Sequence, residues 1–451
     1  MVSHHDSRDS VSRQLAFGRQ HPPRQPGLRQ YHRPPGPERV AGELAKGAKG
    51  MSSREEEARN DTHEGQDTIY SQGNETPQEC THRIIGEHNP RKRKPMTQGE
   101  TIRFELFEAL LRCPNEGGQL EARGDGREGL LRCRICSRLF PIDDGIAILL
   151  PDGKRNPRLE LSLLARLGRL LGGESWAADL AETLAVVKQT DRPTVWEWED
   201  VEFWDRHYAS LLEADARSDW TYRLQQRKDP VDRAFRGLGP GLTIVDVGAG
   251  EGQTTPELLP NVFRASTYIA LDMSFQGLRL NRSRHRPTRG IYLLASADHP
   301  PLAEAVADVI TFYGVLHHAE RKVASLAEYC RKLKPGGRLL LAEAVARPRI
   351  ARGLLSRVLP TQEVSAHEER IPLDQLRRAC QECGKMVYYR QYYTAFYSLL
   401  SRVKTLRRLL VASGTMHRWV IFADDLVSRT LGALVPIFRA GEILAVLQRR
   451  E

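Results

Sequence analysis

The sequence predicts an α/β fold with a mostly parallel sheet, and three observations predict it. Five short apolar runs, Leu242–Val247, Tyr268–Leu271, Gly290–Leu294, Val309–Phe312 and Arg338–Ala342, follow one another between Gly239 and about Ala346. Segments with helical spacing separate them, and that βαβ rhythm implies parallel strands with helices on both faces. The first run ends directly in a glycine-rich bend, which a strand needs when it turns sharply into a helix.

The rest of the 451 residues divides around this core. Residues 1–98 are rich in Arg, Pro, His, Gly, Ser, Gln and Glu, with few clusters of large apolar side chains. Such a segment buries too little surface to offset its ordering entropy, so it is expected to be a disordered tail. Met96 stands just ahead of the first segment with folded character, which leaves open whether residues 1–95 belong to the expressed protein. Residues 99–153 are expected to form a small separate β-rich module, 154–238 a helical linker and cap, 239–350 the core, and 351–451 a C-terminal cap with the last strands. Leu161–Leu171 repeats apolar residues at helical spacing, and a Trp-rich acidic stretch runs from Val195 to Tyr208.

A net charge of +10 would favour acidic partners such as nucleic acid. The excess is spread, since residues 1–95 hold 16 Lys/Arg against 13 Asp/Glu, and no dense basic stripe stands out. Seven unevenly spaced cysteines do not read as a secreted disulfide framework, and no signal peptide or membrane-spanning run is visible. A reducing, cytoplasmic setting is the expectation. No feature sets an oligomeric state.

The chemistry centres on Thr243-Ile-Val-Asp-Val-Gly-Ala-Gly-Glu-Gly252. A dinucleotide site would show G-x-G-x-x-G, with helix N-terminal amides on a pyrophosphate. Here the glycines fall at 248, 250 and 252, and Asp246 closes the strand, where a carboxylate disfavours a phosphate anion. It suits a ligand carrying an amine and a sulfonium.

On these residues the segment 240–346 resembles the class I S-adenosylmethionine-dependent methyltransferases, in particular their type 11 branch. The resemblance implies a Rossmann-like fold with a mostly parallel seven-stranded sheet and a cofactor, S-adenosylmethionine, whose methionine end is wrapped by Asp246, Gly248, Ala249, Gly250 and Gly252. Asp272, followed by Met273 in Ile269-Ala-Leu-Asp-Met-Ser274, matches the family's acid for the ribose hydroxyls. Asp298, preceded by Ala297, matches its adenine-contacting acid. The strand Ala307–Tyr313 with His317 and His318 looks like the family's fourth-strand segment, and Tyr313 is expected to pack near the cofactor. Lys332-Leu-Lys-Pro-Gly-Gly-Arg338 looks like its turn into strand five.

Methyl transfer needs the acceptor aligned with the methyl group and, for an oxygen or nitrogen acceptor, a base for its proton. His317 and His318 are candidate bases because ligands of open α/β sheets bind at the strands' carboxyl ends. The alternative is that they cap the strand or line the pocket. His367 falls where related enzymes carry a substrate-covering loop.

Two knuckles, Cys113-Pro-Asn-Glu116 and Cys133-Arg-Ile-Cys136, punctuate the module at 99–153. Paired knuckles are how zinc ribbons make a tetrahedral site. The segment resembles small zinc-ribbon-like activators of tRNA and protein methyltransferases, notably in Phe140–Pro151 (FPIDDGIAILLP). Glu116 stands where the second cysteine belongs. Two readings stay open: zinc on Cys113, Glu116, Cys133 and Cys136, or a metal-free ribbon held by its apolar strands. Cys380 and Cys383 read as a helix end capped by Gly384. The functional expectation is methylation of a small molecule of lipid, quinone-like or saccharide type. RNA methylation and a non-catalytic adaptor are the alternatives.

Overall fold

The computed structural model describes residues 104–190, 201–208, 220–264, 266–285, 289–346, 369–392, 395–400, 413–434 and 442–451, with single residues at 403, 406 and 410. The expected tail, most of the Trp-rich stretch's first half and His367 lie outside the described residues.

One sheet of eleven strands organises the molecule. Its central strands are β5 (Thr243–Val247), β6 (Thr267–Asp272), β7 (Arg289–Leu294), β8 (Ala307–Tyr313) and β9 (Leu333–Ala344). They run parallel in the order β7-β6-β5-β8-β9. Then come β11 (Glu442–Gln448), antiparallel to β9, and β10 (Lys385–Tyr392), antiparallel to β11. These make up the seven-stranded arrangement the sequence implied. β5 reads Thr-Ile-Val-Asp-Val, β-branched and buried on both faces, as a central parallel strand requires. Ile244, Val245 and Val247 are fully enclosed, each contributing about 1.5–3 kcal/mol by leaving water.

The expected separate module is not separate. Its strands β1 (Leu120–Gly124), β2 (Gly129–Cys133), β3 (Leu139–Asp143) and β4 (Ile146–Ile148) form an antiparallel meander. β4 then pairs parallel with β7, Ile146 opposite Tyr292 and Ile148 opposite Leu294. The physical reason is that β7 would otherwise present an open apolar edge. Ile146, Ala147 and Ile148 are fully buried, so the ribbon shares the main core.

Helices flank the sheet. α1 (Phe104–Leu110) leads into the first knuckle, and α2 (Pro157–Leu167) packs against α3 (Ala177–Gln189) over the ribbon. At the start of α2 the Asn156 side chain accepts from Leu159 N, while Glu160 reaches back to Asn156 N at 2.7 Å, a reciprocal cap. Glu160 also pairs at 2.8 Å with Arg155, both fully enclosed. α4 (Trp220–Ala234), α5 (Thr254–Leu258) and α6 (Phe275–Arg284) belong to the core, and Ser274 caps α6 by accepting from Gly277 N.

α7 (Lys322–Lys332) and α8 (Leu373–Cys383) lie side by side and are joined by a disulfide between Cys330 and Cys383. Cys380-x-x-Cys383 does end a helix, yet the partner of Cys383 comes from 53 residues earlier. Gly384 is extended rather than left-handed. It is required because a Cβ there would overlap the carbonyl of Gln448.

The C-terminal insertion comprises α9 (Ala395–Leu400) and α10 (Gly414–Leu434). Asp424 accepts from Phe396 N and Tyr397 N at the start of α9, and Asp425 pairs with Arg390 of β10 and with Gln226 of α4.

Candidate functional site: the glycine bend after the first core strand

Gly248, Gly250 and Gly252 have φ of +68°, +47° and +80°, which side-chain-bearing residues rarely adopt. Each is also closely approached. A Cβ at 248 would overlap Val315, one at 250 the hydroxyl of Tyr208, and one at 252 the amide of Asn281. Gly248 N and Ala249 N donate to Leu271 O at 2.8 and 3.1 Å, which ties the bend to the end of β6.

There stands Asp272, half-buried. Its Oδ2 accepts from Gly250 N at 2.8 Å and its Oδ1 from Ser274 N at 2.7 Å. Burial pushes its pKa up to about 6; those two amides pull it down, and nearby Asp205 and Asp246 push it further up. Met273 follows, half-buried and packed on the core. The helix at residues 201–208 comes down on this bend. Asp205 accepts from Ser274 Oγ and from Gln276 N, and the Tyr208 ring lies over Gly250 and Gly277. Burial, then Asp272, Glu251 and Asp205 in turn, push the Tyr208 phenol well above its ordinary range. The bend is therefore lined with carboxylates, a setting that favours a cationic ligand and repels a pyrophosphate. S-adenosylmethionine, with its sulfonium, amine and vicinal hydroxyls, fits this donor set.

Two of the expected acids are already bonded to protein donors. Asp246 is 2% exposed, and its carboxylate accepts from Tyr268 Oη at 2.8 Å and Thr311 Oγ1 at 2.7 Å. These bonds tie β5 to β6 and β8. Burial raises its pKa against these hydroxyls and that of Thr255. Asp298 is fully enclosed and takes hydrogen bonds from Glu320 N, Arg321 N and Ser325 Oγ, with Lys154 Nζ at 3.4 Å. Burial works to raise its pKa, but Ser325, the two amides and the Lys154 charge together bring it below the ordinary carboxylate range. Those donors occupy the carboxylate that was assigned to adenine. Its neighbour Ala297 is half-buried against the core.

The structure sets the histidines as follows. His317 is buried, with Nδ1 2.8 Å from Glu343 Oε2, while Glu343 Oε1 accepts from Val315 N and Leu316 N. Glu343, the penultimate residue of β9, is 1% exposed. His318 is half-buried beside the His317 ring, with its edge to Trp204 at 6.2 Å between centroids. Tyr313, expected near the cofactor, is buried and hydrogen-bonded to Arg227, which also pairs with Glu442 of β11. Sequence reasoning missed Asp205, Tyr208 and Glu343. The first two lie in the Trp-rich stretch already marked as a cap. An acid just past the apolar run of strand five was the available signal for Glu343.

Among the expected metal ligands, Cys113, Cys133 and Cys136 converge, whereas Glu116 is exposed and outside their cluster. Among the described residues, no helix is long and apolar enough to cross a membrane.

Residues 245–341 match a family model described as a methyltransferase domain. A ubiquinone/menaquinone biosynthesis C-methyltransferase UbiE of Shewanella sp. (strain ANA-3) is 31% identical over 112 residues, 24% of this chain and 44% of that protein. The UbiE of Vibrio vulnificus (strain YJ016) is 31% identical over 111 residues, 24% and 43% of the two chains. The chain thus spans less than half the length of these relatives. Among solved structures, the complex of the Haloferax volcanii Trm112 methyltransferase activator with a methyltransferase overlays with a TM-score of 0.35 at 16% identity, covering 55% of this chain and 98% of that one. The cyclopropane synthase MmaA2 of Mycobacterium tuberculosis gives 0.36 at 16% identity, with 55% and 98% covered. Neither overlay is close enough to speak to function. Residues 245–341, which contain the glycine bend and the strands around it, are thus similar to a methyltransferase domain.

Proposed function

We propose that the chain transfers a methyl group from S-adenosylmethionine to a small molecule, with a quinone-like acceptor first among lipid, quinone-like and saccharide candidates. The observation that carries the reading is Asp272, held by two amides at the lip of a bend lined with carboxylates. The relatives' printed names supply the quinone-like preference.

When bound, the cofactor supplies a methyl group on a positively charged sulfur. Gly248, Ala249, Gly250 and Gly252 let the backbone approach it, Asp272 takes the paired hydroxyls, and Met273 and Ala297 wall the site. Asp246 holds the bend in shape from behind. Tyr208 and Trp204 shield the mouth from water, which keeps charge interactions strong. His317, held at Nδ1 by Glu343, serves as the base for the acceptor's proton. His318 lines the pocket. His367 is retained as a candidate for substrate contact from sequence position alone.

The test has two arms. Calorimetry with S-adenosylhomocysteine is expected to show one site per chain. Incubation with methyl-labelled cofactor and a cell extract is expected to place label in small organic-soluble compounds. Label in RNA would overturn the small-molecule reading, and absence of binding would favour a non-catalytic adaptor.

A further inference from the structure

α10 is turned with its apolar row outward. Thr415, Trp419, Phe422, Leu426 and Thr430 recur at helical spacing on its exposed face, with Trp419 67%, Phe422 59% and Leu426 51% exposed. The Trp419 and Phe422 rings meet edge to face at 6.0 Å between centroids. The inward face carries Val420, Asp424 and Ser428, all buried. Asp424 is fully enclosed and caps α9, and Ser428 Oγ donates to Asp424 O at 2.7 Å. A helix that faced only water would reverse this arrangement, with its acid outside and its Trp and Phe within. Large apolar side chains gathered in one outward row mark a surface that meets something other than water.

Charge and composition select the occupant. Arg418 and Arg429 are exposed towards the two ends of the row. Asp425, the acid beside it, pairs with Arg390 at 3.4 Å and with Arg429 at 3.8 Å, which balances its charge. Along the sequence, residues 391–423 hold five Lys/Arg and no Asp/Glu. Trp, Phe and Leu flanked by arginines suit a helix lying in a lipid–water interface, where Trp sits at headgroup level and arginine meets lipid phosphate. Such contact runs along the surface and requires no helix that crosses the bilayer.

We propose that the outward face of α10 docks on a membrane surface containing anionic lipid, with Trp419, Phe422 and Leu426 entering the headgroup–acyl boundary and Arg418 and Arg429 meeting lipid phosphates. Asp425 accepts from Gln226 of α4 at 3.3 Å, and the neighbouring Arg227 bonds Tyr313, the last residue of β8. Phe312, just before Tyr313, is level with Val247, just before the glycine bend. α10 is therefore fastened at the carboxyl edge of the sheet, and docking brings the bend's edge close to the bilayer. That an apolar acceptor enters there rests on the proposed methyl transfer; the docking itself does not.

Sedimentation of the full chain with lipid vesicles tests the docking. Vesicles of equal parts phosphatidylcholine and phosphatidylglycerol are expected to bind it, and phosphatidylcholine alone at least about tenfold more weakly. Brominated acyl chains should quench the tryptophan fluorescence of the wild type, and Trp419→Phe should remove most of that quenching. Trp419→Ser with Phe422→Ser, both at exposed positions, should weaken vesicle binding by at least about tenfold with the unfolding midpoint unchanged. Arg418→Glu should weaken binding to the anionic vesicles by about fivefold or more. Binding to neither vesicle type overturns the proposal, as does binding that the double serine variant retains in full. A wild-type dimer that the double variant dissociates gives the face to a second copy and likewise overturns it. Equal binding to both vesicle types overturns the role of the arginines. A chain that binds the anionic vesicles but not S-adenosylhomocysteine keeps the docking and loses only the proposed methyl transfer.

Discussion

Asp272 and Asp298 sit in neighbouring loops, one ending β6 and the other following β7, and their surroundings are opposite. Asp272 accepts from the amides of Gly250 and Ser274, stays half-buried, and has its pKa pushed up to about 6 by burial. Asp298 is enclosed by two amides, a hydroxyl and a lysine from 144 residues earlier, and is held below the ordinary carboxylate range. The difference teaches that an acid at a strand's end serves a ligand only when the fold leaves its oxygens under-supplied with donors. Where the fold supplies them fully, the acid is a staple.

The largest expected effect comes from removing the staple. Asp298→Ala leaves Lys154 and the amides of Glu320 and Arg321, just ahead of α7, without their carboxylate, so urea unfolding should show a loss of about 3–5 kcal/mol. Its affinity for S-adenosylhomocysteine, measured where the protein is folded, should stay within about threefold. An equal collapse of binding at full stability would erase the contrast.

His317→Asn should lower turnover by about 100-fold or more with cofactor affinity retained, since general-base catalysis contributes on that scale. Stopped assays on the acceptor found in the extract experiment would check it. A loss of affinity instead would make His317 part of the cofactor's wall.

The two acids also carry opposite pH signatures. Asp298, with a lowered folded pKa, contributes stability that is present above its unfolded pKa and lost as pH falls through the folded one. Asp272 has a raised folded pKa, so its contribution is greatest below the unfolded value and is lost as pH rises to about 6. Hydroxyl donors favour its ionised form, so S-adenosylhomocysteine should bind more tightly as pH rises through about 6 and level off above. Calorimetry across that range, repeated on Asp272→Asn, should lose the inflection in the variant. The smallest effect is expected from Tyr208→Phe, which removes a hydroxyl over Gly250 and should weaken binding by about two- to fivefold.

What the sequence made legible was local. The bend at 248–252, the strands around it and Asp272 all lie within short reach of one apolar run, and their patterns survive folding. What it hid was long-range. Nothing in Ile146–Ile148 announces a parallel partner at Tyr292–Leu294, and the donors that consume Asp298 come from Lys154 and Ser325. The carboxylate behind His317 arrives from Glu343, and the Tyr208 ring reaches Gly250 from a helix forty residues upstream. Asp246 was found as a motif residue, but its direction depended on hydroxyls at Tyr268 and Thr311. The disulfide partner of Cys383 was equally remote.

The most direct measurement is calorimetric titration of S-adenosylhomocysteine into the wild-type chain and the Asp272→Ala variant at neutral pH. Losing two charge-assisted hydrogen bonds should weaken the variant by about 100-fold while its unfolding midpoint holds. A variant that binds as tightly as the wild type would contradict the assignment of this bend as the cofactor site.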